Sequence, residues 1–261
     1  MKSKGAKSKG VISICLTAIL VCAASAAAQY KVVDLGTLGG GISNAYGVND
    51  LTQVVGVSQI AGGFNHGFLW MKPHGMKDLG TLGGNFSSAQ AINDASEIVG
   101  QAATSQSTSY AFLRKGSTMQ DLGSLGGSSS QANAINFNPL TQDFSQIAGW
   151  SLTAGNGPYH AVVWDAGLNI SDLGTLGGSD SQANAVNDIR QIVGFSTITG
   201  DTDEHAFLWT SQRGMQDLNN LINNNSGWDL RGANSISNNG RIVGSGLHNG
   251  QLHAFLLIPD F

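Results

Sequence analysis

The heptapeptide Asp34-Leu-Gly-Thr-Leu-Gly-Gly40 recurs at Asp78–Gly84, at Asp121–Gly127 with Ser124 for Thr, and at Asp172–Gly178. A degenerate copy opens at Asp217-Leu-Asn-Asn-Leu221. The steps between the aspartates are 44, 43, 51 and 45 residues. A period of this size marks a repeat architecture, in which no repeat buries its apolar surface alone and neighbours share a core.

Each period holds short apolar runs in fixed order. Ala-x-Ala-Ile-Asn (as in Ala89–Asn93) is followed by Gln-Ile-Val-Gly (Gln191–Gly194), His-Ala-Phe-Leu-Trp (His205–Trp209) and Met-x-Asp-Leu-Gly (Met76–Gly80). The runs are four to six residues long, β-branched or aromatic, and bounded by Gly, Asn, Asp and Ser, which predicts strands. Asn49-Asp50, Asn93-Asp94 and Asn187-Asp188 stand where the first strand must reverse into the second. The third repeat carries an insertion around Phe137–Leu140, which accounts for the 51-residue step.

Four antiparallel strands per repeat, five repeats and no helical pattern predict an all-β, five-bladed β-propeller of four-stranded antiparallel blades. The fifth repeat stops after its third strand, whereas Tyr30–Gly36 reads as a lone fourth strand. Pairing the two is expected to close the ring and remove an exposed edge. Alternation then places the loops after strands two and four on one face of the domain.

Residues 1–28 read as a signal peptide, and 29–261 as the domain. Lys2, Lys4, Lys7 and Lys9 precede apolar Val11–Ala24 and a small-residue cleavage site before Gln29. The apolar core is shorter than the ~20 residues a membrane span needs, so no membrane insertion is expected after cleavage. Both cysteines, Cys15 and Cys22, leave with this segment, which excludes disulfides and thiol chemistry from the mature chain. Cleavage removes four of the 13 basic residues and leaves 9 against 17 acidic ones, a net charge of −8. That balance argues against nucleic acid and anionic membrane as partners.

Taken together, the motifs His205–Trp209, Gln191–Gly194, Ala183–Asp188 and Asp172–Gly178 resemble the HAF repeat of extracellular bacterial repeat proteins, over about Tyr30 to Ile258. Departures are Tyr110 and Arg114 in the second repeat, the insertion in the third, and Asn219-Asn220 in the last. The resemblance implies export and repetition, and no activity.

Each Asp-Leu-Gly aspartate recurs at one strand position, which fits a turn anchor better than a catalytic group needed once. His66, His160, His205 and His253 are expected to bond, within a blade, to Asp78, Asp172, Asp217 and Asp34, with Tyr110 replacing His in the second. Histidines spread over separate blades do not converge on a metal, and Gly-Thr-Leu-Gly-Gly lacks the lysine and following helix of a phosphate loop. No cofactor is expected. Asp201, Asp203 and Glu204 share one loop that is expected to be solvated, with calcium as the alternative.

Residues that break the repeat nominate a ligand surface: Phe64, Phe86, Tyr159 and Trp228, whose rings suit sugar faces or a protein partner. Trp228 lies in the one lengthened fourth-to-first connection, where Asp217 to Ala233 spans 16 residues against 11 elsewhere. The expected product is a secreted (extracellular or periplasmic), monomeric, non-catalytic binding module for a glycan or protein. Two alternatives are a propeller glycoside hydrolase and a structural protein of envelope or matrix. The hydrolase needs paired carboxylates on inner strands, and the windows Ala45–Asn49, Ala89–Asn93, Ala132–Asn136, Ala183–Asn187 and Ala233–Ser237 contain none.

Overall fold

The computed structural model describes residues 30–223 and 226–260, so the expected leader over 1–28 lies outside the described residues. The chain divides into two units, Met1–Asp34 and Leu35–Phe261. In the first, residues 30–34 carry no regular structure.

In the second unit, β1 (Gly39–Val48), β2 (Val54–Ile60), β3 (Asn65–Met71) and β4 (Gly75–Asp78) form an antiparallel sheet in chain order. The order repeats in β5 (Gly83–Ile92), β6 (Ile98–Thr104), β7 (Ser109–Lys115) and β8 (Thr118–Asp121). It repeats again in β9 (Gly126–Ile135), β10 (Gln146–Thr153), β11 (Tyr159–Asp165) and β12 (Ile170–Asp172). One parallel pairing, Ser109 with Ser129, joins these two quartets into an eight-stranded sheet. A further four-stranded sheet holds β13 (Gly177–Val186), β14 (Ile192–Ile198), β15 (Glu204–Thr210) and β16 (Gly214–Asp217). The last sheet has three strands, β17 (Trp228–Ile236), β18 (Ile242–His248) and β19 (Gln251–Leu257).

The lone fourth strand expected over Tyr30–Gly36 is not formed: residues 30–37 carry no strand. Elsewhere a fourth strand follows its third through a short local turn, as Lys72–His74 links β3 to β4. Among the described residues no third strand precedes the N-terminal segment in the chain, so no local turn leads into it.

The first strand of each sheet starts earlier than its apolar run. Gly83, at φ +105°, turns the chain into β5 in a conformation that a side chain rarely adopts. A bulge then falls between Ala89 and Ala91, and strand two crosses so closely that a Cβ on Gly100 would sit 2.0 Å from the Ser88 carbonyl oxygen. Glycine in Gln-Ile-Val-Gly is a packing requirement.

Four apolar clusters lie between successive sheets and use the same positions each time. Each combines the Asp-Leu leucine of one repeat (Leu79, Leu122, Leu173, Leu218) with the first-strand alanine of the next (Ala89, Ala132, Ala183, Ala233). Polar bonds cross the same interfaces. Ser87 Oγ accepts the Gly67 N–H at 2.8 Å and donates to the Gly80 carbonyl at 2.5 Å. Ser130 does the same for Ala111 and Gly123, and Ser181 for Ala161 and Gly174. On the opposite end, Asn49, Asn93, Asn136 and Asn187 each donate an amide N–H to the main-chain oxygen of the next sheet's turn, at Asn93, Asn136, Asn187 and Ser237. Ser181→Ala should cost about 1–3 kcal/mol by leaving the buried Ala161 N–H unpaired, a loss that urea unfolding would measure.

The insertion in the third repeat folds back on the preceding sheet. Its Phe144 is buried and donates its N–H to Glu97 at 3.1 Å. Lys115 bridges Glu97 at 2.6 Å and Asp143 at 2.8 Å, with its ammonium 4.9 Å from the centre of the Phe144 ring. Burial raises the Glu97 pKa and Asp143 pushes the same way, against the pull of Lys115 and Asn93. In Lys115→Ala that opposing cation is gone, so the folded state retains a proton that the unfolded chain releases. The contribution is present below the ordinary glutamate pKa and lost as pH rises through the folded one. The melting temperature of Lys115→Ala should therefore fall more than that of the wild type as pH rises above the ordinary glutamate range.

Candidate functional site at the end of the sheets

Register fixes one end of the array. Gly39 lies opposite Ile60, Gly83 opposite Thr104, Gly177 opposite Ile198 and Trp228 opposite His248. Each first strand thus starts beside the turn linking strands two and three. Phe64, Phe86, Tyr159, Trp228 and the Asp201–Glu204 loop all belong to this end.

The repeat-common polar groups here are engaged in the scaffold. His66 Nδ1 lies 2.8 Å from Asp78, His160 Nδ1 2.7 Å from Asp172, and His205 Nδ1 2.7 Å from Asp217. The second carboxylate oxygen accepts the N–H two residues on, from Gly80, Gly174 and Asn219 at 2.7–2.8 Å. Each aspartate therefore pins the end of strand four and orients a histidine on strand three. Tyr110 does not take the histidine's place, since no hydrogen bond joins its hydroxyl to Asp121 among the described residues.

The pattern-breaking residues fall into separate groups. Phe64 is 49% exposed in the β2–β3 turn. Phe86, on β5, lines a hollow of about 250 Å³ with Tyr46, Asn65 and Gln59. Tyr159 opens β11, meets Trp150 edge-on at 6.0 Å, and donates its main-chain N–H to Asp180 at 3.1 Å. Burial raises the Tyr159 pKa, and the negative charges of Asp180 and Glu204 add to it, so this phenol keeps its proton. Trp228 is built into its own sheet: it stacks on His248 at 4.7 Å and meets His253 and Phe255 edge-on at 6.3 Å.

Between the fourth and last sheets, Asp201, Asp203, Glu204, Arg231 and two threonines line a cleft of about 480 Å³. Arg231 pairs with Asp203 and, at 2.8 Å, with Asp229. Asp201 instead accepts the Ser179 N–H at 2.6 Å, which with Thr197 holds its pKa below the ordinary value. The acidic loop is thus tied to β13 on one side and to an arginine on the other.

Reading the repeat alone missed Asp180 and Asp229. Both lie on first strands that extend beyond the short alanine windows, into Gly177–Val186 and Trp228–Ile236. Inner strands do carry carboxylates here. Asp180 accepts the Tyr159 N–H, whereas Asp229 pairs one oxygen with Arg231 and keeps the other buried without a hydrogen-bond partner among the described residues.

Neither a protein-family model nor a curated protein sequence matches the chain. Among solved structures it is similar to TolB from Acinetobacter baumannii, with a TM-score of 0.52 and 11% identity. The match covers 83% of this chain and 51% of TolB, so the chain spans about half of that protein's length. The all-β architecture of four-stranded antiparallel sheets is of the β-propeller type. Among the described residues, no helix is long and apolar enough to cross a membrane.

With its ring packed on three others, Trp228→Ala should lower stability by about 2–4 kcal/mol. Thermal denaturation of the purified variant would measure it.

Proposed function

We propose that this chain is a secreted, non-catalytic binding protein, a HAF-type repeat whose five repeats count as five propeller blades, with a carbohydrate ligand held at the end that bears the strand two-to-three turns. The observation that supports this reading is the division of labour there. His66, His160 and His205 and their aspartates are consumed in scaffold bonds, whereas the exposed Phe64 ring and the Tyr159 phenol break the repeat. Aromatic faces beside carboxylates suit sugar rings, whose C–H face stacks while hydroxyls donate to the acids. Export follows from the leader pattern, and neither metal nor cofactor enters the reading. A protein ligand is the second form of the same proposal, since the same rings can anchor either.

A glycan array probed with the chain from Gln29 onward is the direct test. Phe64→Ala and Tyr159→Ala should each weaken the best-bound glycan by about 1 kcal/mol or more, with unchanged melting temperature for Phe64→Ala. An array without signal, or binding indifferent to both substitutions, would remove the carbohydrate reading. Release of reducing ends from a bound glycan would instead establish the hydrolase.

A further inference from the structure

The internal sheet–sheet interface has two non-identical halves, and the array carries one unused copy of each. The leading half is seen at four junctions. It offers a mid-strand-two residue, a strand-three residue and an amide donor to the sheet that follows. The receiving half offers a first-strand alanine, a serine hydroxyl and a main-chain oxygen.

On the last sheet, the leading half is bare. Val55, Val99, Ala148 and Val193 are fully buried, but Val243 at the same position is 43% exposed. Leu256 is 55% exposed, where Leu69, Leu113 and Val163 are buried. Ala254 is also exposed, at the position from which Gly67, Ala111 and Ala161 donate to a serine. Asn133 and Asn184 donate across to Ala183 and Ala233 oxygens at 2.8 and 2.9 Å. The equivalent Asn234 is exposed, and its carboxamide meets no partner among the described residues.

On the first sheet, the receiving half is bare. Ala45 is exposed where Ala89, Ala132, Ala183 and Ala233 are fully buried. Val48 is 66% exposed where Ile92 and Ile236 are buried. Ser43 Oγ donates to Gly36 as its counterparts donate to Gly80, Gly123 and Gly174, and receives no N–H from a preceding sheet among the described residues. The first and last sheets do not pack on each other as successive sheets do.

From these matched halves we infer that the chain associates head to tail with a second copy, the last sheet of one molecule packing on the first sheet of the next. This departs from the monomer expected from the sequence. In that contact Asn234 reaches the Ala45 oxygen of the second copy, Ala254 meets its Ser43, and Val243 and Leu256 cover its Ala45 and Val48. The contact omits one internal bond, because Ser237 replaces the ladder asparagine and keeps its hydroxyl on Asn239 at 2.6 Å. Association is therefore weaker than the internal junctions and reversible. Such a heterologous contact closes into a ring or extends as a filament.

Sedimentation velocity across a concentration series tests this. The purified wild-type chain should rise in average mass with concentration. Ala45→Arg and Leu256→Glu, both at exposed positions, should each remain monomeric with unchanged circular dichroism. Mixing the two variants should restore a dimer and nothing larger, because only one competent junction exists between them. A wild type that is monomeric at every concentration overturns the inference, and points to cover by the chain's own N-terminal segment. Assembly that survives both substitutions, or a mixture that stays monomeric, overturns it equally.

Discussion

A serine hydroxyl set among three chain segments holds successive sheets together. Ser87, Ser130 and Ser181 each accept from strand three of one sheet, donate to the turn that leaves its fourth strand, and stand on strand one of the next. All three are buried, where an unpaired main-chain N–H is costly. The neighbouring alanine is small for the same reason, since a larger residue would push the sheets apart and break the bond. Most of the repeat's regularity follows from this junction: leucine to fill behind it, glycine to turn into it, aspartate to fix the strand that supplies it.

The last repeat shows what happens when the junction is rewritten. Arg231 stands at the serine position of β17, and Asn219 replaces the glycine of the turn. The Asn219 side chain takes over by donating to the Leu230 oxygen at 3.0 Å and accepting the Leu230 N–H at 2.7 Å. Arg231 is thereby released to the rim, where it meets Asp203 and Asp229. A scaffold substitution and the charged cleft are two ends of one change.

Features that repeat were legible in the sequence. The strand order, the insertion, the aspartate turn anchors and three His–Asp bonds all follow from residues that recur at fixed spacing. Main-chain partners have no sequence signature, so the serine and asparagine bonds between sheets were not legible. Nor was the true start of the first strands, because glycine is a poor strand former and Gly83-Gly84 reads as a turn until the bulge and close crossing are seen. Asp180 and Asp229 were hidden by that boundary. Trp228 was legible as an exception, but its stacking partner His248 is itself non-repeating and gave no warning. The lone fourth strand read over Tyr30–Gly36 is not formed although its motif matches the others, because a strand motif without a neighbouring third strand in the chain carries no pairing of its own.

The fold-back of the third repeat divides the array into unequal parts. Sheets that touch only their neighbours lose structure independently from either end, so stability is a sum of local terms and junction terms. The Lys115, Glu97, Asp143 and Phe144 contacts add a second junction between the second and third repeats. That pair is thereby held by a lysine–carboxylate cluster in addition to the serine and asparagine bonds of the common junction. Gain or loss of a repeat at either end leaves the contacts of that doubly tied pair unchanged.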